Sequence, residues 1–170
     1  MSTQHDVPAP TSTSTRPRHR GLAVAPFIGL LLFTVTAVPL LVDPSDGWQL
    51  QLLQNGVVYL VGWAGIGAGI AHLLFARSTA ASIGWATSPF ETEVGWADLA
   101  MGVAGVMAGG QPPSYWLGVI VVSAVFRLGA ALGHVRQIVA DRNLAPNNTA
   151  ILLIDVGVPA FLVLGYLSWV

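Results

Sequence analysis

Five stretches of this chain, at about residues 21–42, 56–76, 90–110, 114–134 and 150–170, run for about twenty residues with few or no charged side chains. That length constrains the fold more than any other feature. A hydrocarbon layer about 30 Å thick is crossed by roughly 20 apolar residues in a helix. Inside it, each segment must satisfy its own backbone N–H and C=O groups. No alternating pattern suggests barrel strands, so helices follow. The composition agrees: 54% of the 170 residues are hydrophobic and 9% charged, where a soluble domain carries roughly 25% charged. The expected fold class is all-α, a polytopic transmembrane helical bundle of about five spans over 21–170. Residues 1–20 are rich in Ser, Thr and Pro, lack an apolar period, and are expected to form a disordered cytoplasmic tail.

The arginines test the topology. Five spans place the tail, the 77–89 loop and the 135–149 loop on one side. Arg16, Arg18, Arg20, Arg77, Arg136 and Arg142 all fall there, whereas 43–55 and 111–113 hold no Lys or Arg. The positive-inside rule then puts the N-terminus in the cytoplasm. All seven basic residues are Arg, a skew that points to a GC-rich bacterial genome and so to a bacterial inner membrane as the expected location. Four or six spans would scatter these arginines. Cleavage of the first span as a signal peptide would leave four spans in the same orientation, but its apolar run exceeds the roughly 7–15 residues of a signal h-region. Trp48, Trp85, Trp116 and Trp169 lie near predicted span ends, as interfacial aromatics do. The sequon Asn147-Asn148-Thr149 lies on the cytoplasmic side and reads as a turn.

Several functions are excluded. Cysteine is absent, which removes disulfides, iron–sulfur clusters and thiol catalysis. A net charge of −1 gives no basic footprint for nucleic acid. No phosphate loop, zinc spacing or nucleophile elbow occurs, which points away from an enzyme. The expected partners are membrane lipid and either further copies of the chain or a membrane-complex subunit.

Helical spacing at 100° per residue gathers the few polar residues with the glycines. Glu91, Gly95, Asp98, Gly102, Gly105 and Gly109 share one face of the third span. Gly62, Gly65, Gly69 and His72 share one face of the second. Such stripes let helices approach closely. Ser123, Arg127, Ala131 and His134 line the fourth span, with Gly129 and Gly133 beside them, and Asp155, Pro159, Leu162 and Tyr166 line the fifth. Ser88-Pro89-Phe90-Glu91 matches a capping box, which accounts for Glu91. Glu93 reads as a solvated charge favouring the helix N-terminus. Asp98 lies two turns further in and needs another reason. Arg127, near mid-span, costs about 2.5–3.5 kcal/mol on insertion scales and must face inward to a partner. Asp98 and Asp155 are at matching depth. Pro159 removes the hydrogen bond to the Asp155 carbonyl.

Ser88-Pro89-Phe90 with Glu93-Val94-Gly95, then Gly129-Ala130-Ala131-Leu132-Gly133-His134-Val135-Arg136, then Ala145-Pro146-Asn147 and Asp155 with Pro159 resemble an uncharacterised family of small bacterial integral membrane proteins. The family pattern reads SPF-x-x-EVG-x-A-N-L, then G-A-x-x-GH-x-R, then A-P-G-N before a D-x-x-x-P helix. The resemblance covers about residues 82–160, with Asp98 where the pattern has Asn and Asn147 where it has Gly. It implies topology and no chemistry.

The expected site is a polar pocket on the cytoplasmic side, lined by His72, Asp98, Arg127, His134 and Asp155 and rimmed by Glu91 and Glu93. It would bind a small anionic or quinone-like ligand or relay protons, with no cofactor and no metal. The alternatives are a redox subunit with haem held axially by His72 and His134, and a structural or accessory subunit of a membrane complex.

Overall fold

The computed structural model describes residues 27–170. The expected tail, Arg16, Arg18 and Arg20 lie outside the described residues. Five helical rods fill the rest. Helix α1 is Ile28–Val42. Helix α2 (Trp48–Asn55), a π-helical segment (Gly56–Trp63) and α3 (Ala64–Ser82) run on as one rod, Trp48–Ser82. Then follow α4 (Phe90–Met107), α5 (Pro113–Asp141) and α6 (Pro146–Trp169). The all-α bundle is thus observed, with no strand among the described residues. Three rods, Trp48–Ser82, α5 and α6, are long and apolar enough to cross a membrane. This is a membrane protein. Helix α1 is apolar but shorter, and α4 carries Glu91, Glu93 and Asp98.

The rods alternate in direction, so their turns collect at two ends. At one end Trp48 and Trp169 lie with ring centroids 6.3 Å apart, and Gln54 and the Trp116 indole both donate to the Ala108 carbonyl. Trp116 is therefore a buried core residue, not the interfacial one expected. At the other end Asn143 Nδ2 donates to the Ile83 carbonyl at 2.7 Å, tying the 83–89 and 142–145 turns together. Gly84 there has φ +75°, and a Cβ would lie 2.7 Å from Asn143 Oδ1. Only glycine tolerates both demands.

The tightest seam joins α4 to α3 and the π segment. Gly62, Gly65 and Gly69 face Gly95, Gly102 and Gly105, and a Cβ on Gly102 would lie 2.5 Å from the Ile66 nitrogen. These stripes therefore bring the two backbones into contact. By contrast, a Cβ on Gly129 would meet nothing within 4 Å, so that glycine serves no contact in this fold. Helix α3 breaks at Phe75 (φ −134°, ψ 30°) without a proline. Thr79 Oγ1 lies at hydrogen-bond distance from the Ala71 and Phe75 carbonyls, at 3.0 and 3.2 Å, so its hydroxyl serves the carbonyls that a kink sets free.

The apolar core occupies the half of the bundle nearer the 108–112 turn. Leu53, Val57, Ile120, Leu162 and Trp116 close it with little or no exposed surface. The other half is built differently.

Candidate functional site

Arg127 sits near the middle of α5, where a guanidinium needs acceptors from the protein. Nη1 donates to Asp155 Oδ1 of α6 at 3.2 Å. Nη2 donates to the Leu60 carbonyl at 3.0 Å. The second acceptor arises from the π-helical turn. In an α-helix the Ala64 N–H would bond the Leu60 carbonyl, but here it reaches the carbonyls of Tyr59 and Val61. The wide turn leaves Leu60 without that donor, and the guanidinium takes its place. Isolated π-helical turns are frequent at functional sites.

Of the two aspartates expected as partners for Arg127, Asp155 makes the ion pair. Asp98 makes neither an ion pair nor a side-chain hydrogen bond among the described residues, although it lines the same space. Its backbone is fixed by the glycine seam, since a Cβ on Gly65 would lie 2.8 Å from the Asp98 carbonyl oxygen.

His134 is held by a network that the sequence reading missed. Asn148, fully buried, donates from Nδ2 to the Asn143 carbonyl at 3.1 Å. Its Oδ1 therefore faces Trp85 Nε1 at 3.0 Å and His134 Nδ1 at 2.8 Å. An amide oxygen only accepts, so His134 Nδ1 must carry the proton and donate it. In the neutral ring Nε2 then holds the lone pair. The Trp85 ring lies against the imidazole, with centroids 5.0 Å apart. The signal for Asn148 is the A-P-x-N run Ala145-Pro146-Asn147-Asn148, which by sequence alone reads only as a turn.

His72, Asp98, Arg127, His134 and Asp155 line one cavity of about 140 Å³. Four helices contribute them. The cavity runs from Arg127 and Ser123 in mid-bundle to Ser82, Ile83 and Asn147 beside the 83–89 and 142–145 turns. His72 Nδ1 is buried without a hydrogen-bond partner among the described residues. A volume of this size is close to that of an engineered cavity that admits benzene. Among the described residues no group of three or more His, Asp or Glu is arranged to hold a metal ion.

Glu91 and Glu93, expected at the rim, are not among the residues lining the cavity. Glu91 Oε1 accepts from the Ser88 N–H at 3.1 Å, while Ser88 Oγ accepts from the Phe90 N–H at 3.2 Å. That reciprocal pair is a capping box. Glu93 is exposed.

A cavity of this make-up sits within the matched segment of a known sequence family. The chain belongs to DUF6790, a family of unknown function. The match spans residues 22–169 and so takes in every rod and every cavity residue. No curated protein and no solved structure matches the chain.

Proposed function

We propose that this chain is a five-span protein of the bacterial inner membrane, with its N-terminus in the cytoplasm and a polar cavity that opens on the cytoplasmic side to bind a small molecule. The observation that carries this reading is the meeting of five ionisable side chains from four helices in one cavity. Such residues inside a membrane bundle mark ligand or proton pathways. In this reading α4 crosses despite its carboxylates, with Trp96, Val103 and Met107 turned outward and its glycine face against α3. The cavity mouth lies at the end that carries Arg77, Arg136 and Arg142, which supports a cytoplasmic opening. The packed apolar half beyond Arg127 favours a one-sided binding chamber over a path through the membrane.

The absence of cysteine makes labelling direct. With a small thiol reagent applied to inside-out vesicles, Ala68→Cys on the cavity wall and Thr87→Cys in the mouth-side turn should react. Leu53→Cys in the apolar half and Asp46→Cys at the far end should not. Reaction at 46 but not at 87 would reverse the orientation, and an inert cysteine at 68 would remove the open cavity.

A further inference from the structure

We infer that the guest of this cavity is a small organic monocation with N–H donors, such as an alkylammonium ion, and not an anion or a quinone; the inference rests on the cavity being a binding site. Among the groups that line it, the Asp98 carboxylate is the charged one left without a counter-charge. Arg127 is the one cationic side chain of fixed charge among the lining residues. Its charge is offset by Asp155 at 3.2 Å, and its second terminal nitrogen, Nη2, donates to the Leu60 carbonyl. Asp98 brings a second carboxylate with no ion pair among the described residues. One guanidinium against two carboxylates leaves a formal deficit of one positive charge.

His134 points the same way. Asn148 accepts the His134 Nδ1 proton, so in the neutral ring the remaining nitrogen is an acceptor. An anion entering here would face two carboxylates and an arginine already neutralised. A quinone offers only carbonyl acceptors, which could accept a hydrogen bond from Ser123 or Arg127 but would leave the Asp98 carboxylate without a counter-charge. An ammonium group supplies both the missing charge and the missing donors, in charge-assisted hydrogen bonds. Phe27 and Phe126 also line the cavity, and aromatic faces attract cations when desolvated. The volume of about 140 Å³ admits a guest about the size of benzene.

The test is binding to the full chain in lipid nanodiscs, by calorimetry, with methylammonium, tetramethylammonium, acetate and a tailless benzoquinone as probes. Methylammonium should bind best, and ahead of tetramethylammonium, which has no N–H. Asp98→Asn should weaken it by at least about tenfold. Tighter binding of acetate or benzoquinone, or methylammonium affinity unchanged in Asp98→Asn, would overturn the assignment of charge while leaving a binding cavity. No binding by any of the four probes would overturn both the charge assignment and the binding reading. If Asp98→Asn does not fold, the order of the probes on the unaltered chain decides alone.

Discussion

At the end of the bundle that carries the 43–47 and 108–112 turns, the rods close over Leu53, Val57, Ile120, Trp116 and Leu162. At the other end the same rods diverge around Arg127, Asp155, Asp98, His134 and His72. The first half is held mainly by apolar packing, with side-chain hydrogen bonds only to carbonyls near the end of α4, from Tyr115 to Ala104 and from Gln54 and Trp116 to Ala108. The second half is held by directional bonds, several of them to main-chain carbonyls: Leu60 for Arg127, Asn143 for Asn148, Ile83 for Asn143. The difference teaches where each kind of residue is replaceable. An apolar contact can be exchanged for another of similar volume, whereas a buried polar group left alone loses its partner outright.

The sharpest way to break this contrast is at Arg127. Arg127→Leu should destabilise the bundle by about 3–5 kcal/mol, because Asp155 is left buried without its counter-charge. Adding Asp155→Leu should recover most of that loss, as exchanging a whole buried pair for apolar residues often does. Unfolding in mixed micelles measures both. If the single change is silent in stability and in binding, the polar half has no organising charge pair. In the apolar half, Leu53→Ala should cost about 2–5 kcal/mol by opening a void, with thiol access at Ala68→Cys unchanged. A change in that access would mean the halves are not independent. Asn148→Ala should cost about 1–3 kcal/mol and release His134 from its fixed tautomer. Nitrogen NMR of the imidazole should show a protonated Nδ1 in the unaltered chain and a mixture in the variant. A ring that keeps its Nδ1 proton without Asn148 would assign the tautomer to some other contact.

Sequence made the helices and their facing stripes legible because both are periodic. Gly62, Gly65 and Gly69 against Gly95, Gly102 and Gly105 could be seen from spacing, since small side chains on one helical face have few other uses. The span limits were read less well. The second rod extends from Trp48 to Ser82 rather than over 56–76, and α5 reaches Asp141 rather than 134. The reason is that Gln49, Gln51, Gln54 and Asn55 break the apolar run around the buried Leu53, and polar residues past 76 and 134 end the hydropathy signal before the helix ends. Arg127 announced that it needed a partner, but two aspartates stood at similar depth, and only the helix arrangement selects Asp155. The π-helical turn had no signature: Gly56–Trp63 reads as an ordinary apolar run. Nor did the break at Phe75, which lacks a proline. Glu91 shows the opposite case, a local motif whose hydrogen bonds follow from four adjacent residues.

The acceptor that Arg127 finds on Leu60 belongs to the peptide, not to the leucine. Any side chain at that position would present the same oxygen, so the contact is immune to substitution there and vulnerable to a change in chain length. Deleting one residue between Gly56 and Trp63 would rewind the turn and hand that oxygen back to the helix. What anchors the cation is thus written in the count of residues rather than in their identity.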